Sequence, residues 1–166
     1  MGTFTDRLAL PLLTAGQAQK EVTHNEALAV VDILLQPVVQ SLAPATVPAA
    51  PALGQCWIVG TGAAGAWAGH DGAIAGWTSG GWRFAAPQEG MQLWSIADGV
   101  MVRRAAGAWL VGVQAAKSIT VNGLQVVGSQ QAAVAPPTGG TVIDSQARAS
   151  ITTVISALRA HGLIST

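Results

Sequence analysis

Six tryptophans, Trp57, Trp67, Trp77, Trp82, Trp94 and Trp109, fall between Gly54 and Gly112 among glycines and short apolar runs. An indole buries a large apolar area while its N–H still needs a partner, so this concentration forms a core, an interface or a platform for a flat ligand. Core packing is the commoner fate of any one ring. The rings expected to face solvent, and so to stack on a sugar, are Trp67, Trp77 and Trp82. Because they flank Ser79-Gly80-Gly81 with even and odd parity, Trp77 and Trp82 need not share a face of a regular hairpin.

Other polar groups are sparse. His70 and Asp71 stand together in Gly69-His70-Asp71-Gly72, but acid/base or metal chemistry needs further groups within reach. The expected role is a turn in which Asp71 accepts from nearby backbone N–H groups. Asp71, Glu89 and Asp98 are the carboxylates from which a glycosidase pair could be drawn, although loop carboxylates are usually solvated. His24, with Asn25 and Glu26, reads as a helix cap or an inter-chain hydrogen bond. Cys56, the single cysteine, lies between apolar neighbours and reads as a small buried hydrophobe. No catalytic set, no metal-ligand set and no cofactor motif is expected, and the sequence reads as non-enzymatic.

Half of the 166 residues are hydrophobic and 10% are charged, against roughly a quarter charged in an average soluble domain. No apolar run of about 18 residues could span a bilayer. Another protein chain must therefore cover the surplus apolar surface, and copies of the same chain are the commonest solution. Net charge is zero, and Arg103-Arg104 is the only basic pair to stand out, so a nucleic-acid surface is not expected. The N-terminus lacks a signal-peptide pattern, which predicts synthesis in the cytoplasm.

Residues 1–42 are expected to supply attachment or oligomerisation. They read as an extended arm around Pro11, then a helix through TAGQAQKEVTHNEALAVVDILLQ that stops near Leu35 ahead of Pro37, then a short strand in PVVQSLA. A capping box at Thr23 and Glu26 would let the helix begin or restart at His24. Leu28, Val31 and Leu35 step by three and four, as on a helix seam. A Pro/Ala linker spans 43–53. The Trp-rich module, 54–130, carries expected strands at 56–59, 73–78, 82–86, 91–96, 100–104 and 108–111, and a last hairpin about Asn122-Gly123. Residues 131–166 read as a second linker and a helix from Asp144 or Ser145 to Ala160. Its apolar stripe is Ile151, Val154 or Ile155, and Leu158. The expected fold is mainly β: an antiparallel meander or small sandwich with one helix at each end, assembled as a trimer through Leu28, Val31, Leu35, Ile151, Val154 and Leu158.

The stretches GQAQKEVTHNEA and GAWAGHDGAIAGW resemble a family of unknown biochemical function found in bacterial prophages and gene transfer agents. The C-terminal GGTVIDSQARASITTVISALRAHGLI is similar to terminal helices of phage tail-fibre-like proteins. The resemblance implies a homotrimeric tail-fibre or tail-tip component, resident on the tail of a phage-like particle. Its implied partners are other tail or baseplate proteins and host surface polysaccharide. It carries over no catalytic residues. The alternatives are a polysaccharide-degrading tail enzyme and a cytoplasmic tail-assembly adaptor.

Overall fold

A computed structural model describes residues 3–14, 16 and 20–166. The chain forms two compact units, Met1–Gln114 and Ala115–Thr166. The fold is mainly β, with a helix toward each end.

In the first unit, helix α1 (Lys20–Leu34) is followed by β1 (Val38–Val39), β2 (Cys56–Ile58), β3 (Ile74–Thr78), β4 (Gly81–Ala85), β5 (Gln92–Ser95), β6 (Val100–Ala105) and β7 (Ala108–Val111). Two sheets result, ordered β2-β3-β4 and β1-β5-β6-β7. All their pairings are antiparallel except β1 with β5. The helix ends close to where Pro37 predicts. The part of the helix reading that falls on residues 15 and 17–19 lies outside the described residues.

Residues 38–43, which fall in the short strand expected in PVVQSLA, stitch the two sheets together. Val38 and Val39 pair with Trp94 and Ser95, while Gln40 N and Ala43 N donate to Cys56 O and Ile58 O of β2. The N-terminal segment thus belongs to the same unit as the Trp-rich strands. The core between the sheets and α1 consists of Ile33, Val39, Cys56, Ile58, Ile74, Ala85, Leu93 and Val102. Gly76 permits this packing, since a Cβ there would sit 2.5 Å from Ile33 Cδ1.

Side-chain alternation gives β2-β3-β4 two unlike faces. Ile58, Ile74 and Ala85 meet α1 and the other sheet, whereas Trp57, Ala75, Trp82 and Phe84 form a second cluster with Val59, Ala63 and Trp67. The connection from β2 to β3 folds back over this second face through a 3-10 turn at Gly65–Trp67.

The second unit holds hairpin β8 (Ile119–Val121) and β9 (Leu124–Val127) and helix α2 (Ser145–Ala160). Asn122 and Gly123 take φ +51° and +79°, as a two-residue hairpin turn requires. Asp144 caps α2 by accepting from Ala147 N at 2.8 Å. Leu163 N donates to Leu158 O across left-handed Gly162 at the other end. Arg159 Nη2 donates to Val134 O at 2.9 Å, tying the preceding linker to the helix. Of the unit's hydrophobic side chains, Ile155 and Ile164 are the buried ones among the described residues.

Candidate functional site

The indole cluster is the densest feature of the first unit. Trp57, Trp67 and Trp82 pack mutually, with centroids 6.3 Å apart for Trp57–Trp67, 5.7 Å for Trp57–Trp82 and 5.1 Å for Trp67–Trp82. The last two pairs are edge-to-face, the arrangement that ring quadrupoles favour. Trp77 joins through Trp82 at 5.0 Å. The hairpin turn is shorter than Ser79-Gly80-Gly81 suggests: Gly81 pairs with Thr78, leaving two loop residues, so Trp77 and Trp82 are direct cross-strand partners on one face. This corrects the parity argument, which assumed a three-residue turn.

Trp67 is also placed differently from its expected solvent-facing position. It has no exposed surface, because the 3-10 turn drives the ring into the sheet face. Its Nε1 has no hydrogen-bond partner among the described residues. Trp67 therefore cannot stack on a ligand from solvent. Trp77 and Trp82 are half-buried, and each already packs on the other. Trp109 donates from Nε1 to Gly72 O at 2.9 Å, and the Arg104 guanidinium lies 5.6 Å from its ring centroid. Trp94, not singled out by the sequence, is the exception. It is 41% exposed on the outer side of β5.

The loop at His70-Asp71 has the structural role expected of it. Asp71 Oδ2 accepts from Gly62 N at 2.9 Å, and His70 stacks parallel on Phe84 at 3.6 Å. Glu89 Oε1 accepts from Ala106 N at 3.0 Å, beside the β6-β7 turn. Asp98 lies in the β5-β6 turn, where its Oδ2 accepts from Ser95 Oγ at 2.5 Å. Glu89 and Asp98 thus stand at opposite ends of β6, whose six residues span roughly 17–20 Å. They cannot flank one glycosidic bond.

Asn25 and Glu26 tie α1 to its own chain. Asn25 exchanges two hydrogen bonds with the backbone of Leu13, 2.9 Å to N and 3.0 Å to O. Glu26 receives Arg83 through a two-pronged pair at 2.5 and 2.6 Å. The hydrogen bond from Arg83 lowers the Glu26 pKa below its ordinary 4.5 and raises that of Arg83. Thr23 and Glu26 lie inside the continuous helix, so they do not cap its start.

The arm around Pro11 is held on α1. Asp32, 3% exposed, accepts from Arg7 N at 2.8 Å and Leu8 N at 2.7 Å. The Arg7 guanidinium in turn donates to the carbonyls of Asp32, Ile33 and Gln36, so a distant cation caps a helix whose last turn has no basic residue. Asp6 Oδ2 accepts from Ser79 N at 2.8 Å. Cys56 is buried, and desolvation pushes its thiol up to about 11, so it is protonated and unreactive at neutral pH.

The expected oligomer contacts remain open. Val31 and Leu35 are about half exposed, on the side of α1 opposite Asn25, Ala29, Asp32 and Ile33, and Leu28 is half-buried beside them. In α2, Ile151 and Val154 are exposed and Leu158 is half-buried, while Ile155 turns inward. No helix is long and apolar enough to cross a membrane among the described residues.

A two-sheet domain with a helix packed on one side and an indole cluster on the other defines a mainly β protein. Residues 24–110, over half of the chain, match the family described as protein of unknown function (DUF2793), and the chain belongs to that family. The match runs from α1 to β7 and stops short of the second unit. No curated protein matches the chain.

Proposed function

We propose that this protein is a structural, self-associating component of a phage-like particle, a tail fibre or tail-tip protein that meets host surface polysaccharide. The observation that carries self-association is the second unit. Every residue of β8 and β9 is exposed, including Leu124 and Val126 at 72% and 57%. An isolated two-stranded hairpin is at best marginal in water, and a helix of α2's length needs a docked apolar face. A unit with two buried hydrophobic side chains among its described residues acquires a core by sharing these faces with other copies.

The resemblance of GQAQKEVTHNEA and GAWAGHDGAIAGW to prophage and gene-transfer-agent sequences supports a tail as the site of that assembly. Mass spectrometry of purified particles from the producing strain tests the reading. The chain is expected among the tail proteins in a copy number divisible by three. Its absence from particles, with abundant free protein in the lysate, would instead make it an assembly adaptor.

A further inference from the structure

Trp94 combines exposure with a free ring. Trp57, Trp67, Trp77 and Trp82 pack on one another and Trp109 lies beneath Arg104, but among the described residues no ring or guanidinium packs on Trp94. Its placement follows from strand alternation. Leu93 and Ser95 are fully buried, so Gln92 and Trp94 project from the outer face of β1-β5-β6-β7. Register then sets Val38 and Met101 on either side of Trp94, and Arg103 directly opposite Gln92. A cleft of about 320 Å³ opens here, bounded by Trp94, Met101, Pro37, Gln36 and Gln92. That volume is at the lower end of small-ligand sites, which begin near 300 Å³.

We infer that this cleft is a sugar-binding subsite in which one pyranose of a neutral or acidic polysaccharide stacks on Trp94 and is gripped at its edge by Gln36 and Gln92. A pyranose presents a flat C–H face and a rim of hydroxyls. The indole supplies a flat apolar surface for the first. Carboxamides serve the second because each carries both donors and an acceptor. Charge narrows the class: among the described residues no Asp or Glu lines the cleft, and Arg103 brings a cation to the same face of the sheet, so the site suits neutral or anionic sugars. A purely apolar partner would leave the amides unpaired.

The subsite rests on the adhesive reading above, and one experiment separates the two. The full-length protein is applied to an array of bacterial oligosaccharides containing neutral hexoses, N-acetylhexosamines and uronic acids, and its best ligand is titrated by calorimetry. In parallel, light scattering records the oligomeric state of each variant. Wild-type protein is expected to bind, Trp94→Ala to bind at least tenfold more weakly, Trp94→Phe to recover part of the loss, and all three to keep the same mass. Equal binding by Trp94→Ala and wild type would overturn the subsite while leaving an adhesive role intact. If wild type binds no sugar, both the subsite and the adhesive role fall, although the structural role stands. A change of mass in Trp94→Ala with sugar binding retained would make this face a subunit contact and overturn the proposal.

Discussion

Glu26 and Arg83 join the middle of α1 to the inner face of β4, linking residues far apart in sequence through parallel N–H···O bonds. The Glu26 side chain is 42% exposed, so solvent screens the pair and its contribution is discounted to about 0.5–1 kcal/mol. Arg83 depresses the folded-state pKa of Glu26 below 4.5. The stabilisation is therefore complete above the unfolded value and disappears as pH falls through the lower folded value. Glu26→Gln is expected to unfold at lower urea than wild type at pH 7, by that margin. At a pH below the folded value, the two midpoints should converge. A gap that stays constant across the range would mean that lost packing, rather than charge, is the cause.

The arm and α1 form one element-scale device, with Asp32 at its centre. Its two carboxylate oxygens satisfy consecutive backbone N–H groups of the arm, while the next side chain in sequence, Ile33, enters the core. Asp32→Ala would strand those donors at a cost of about 1–3 kcal/mol. It should also free the arm while leaving the sheets in place. Hydrogen exchange is expected to accelerate at Arg7 and Leu8 but not at Ile74 or Val102, and uniform acceleration would show instead that the arm is integral to the core. The strands and both helices were largely legible because glycine turns, alternation and helix propensity are local signals. Asp144 and Gly162 likewise mark the ends of α2 by their residue types. The partners of Asp32 and Glu26 were not legible, since each lies across a long sequence separation and the fold alone brings them together. Trp67 is buried and Trp94 exposed, against the expected solvent-facing set of Trp67, Trp77 and Trp82, for a related reason. A short turn buries the first and strand parity exposes the second, while composition treats all six indoles alike.

At the scale of the molecule, the two units differ in how they resolve an excess of apolar side chains. The first encloses Ile33, Ile58, Ile74, Leu93 and Val102 between two sheets and a helix. The second leaves Ile151, Val154 and most of its hairpin uncovered. Burying one Val or Ile side chain contributes about 1.5–3 kcal/mol, and a carboxylate at the same place must be desolvated without a partner. Because each side chain is only about half exposed, replacing Ile151 and Val154 together by Glu removes roughly 1.5–3 kcal/mol of apolar burial from an interface formed by α2, at least ~10-fold in its dissociation constant. Glutamate is a good helix former, and both positions are exposed within the chain, so α2 itself should survive. Multi-angle light scattering of wild-type protein is expected to give a mass three times the 16.8 kDa chain. The double variant should shift toward the single-chain mass at micromolar concentration while keeping the emission of its buried indoles. A wild-type protein running at one chain mass would sink the shared-core argument, because the second unit would then be holding its fold with those stripes in water.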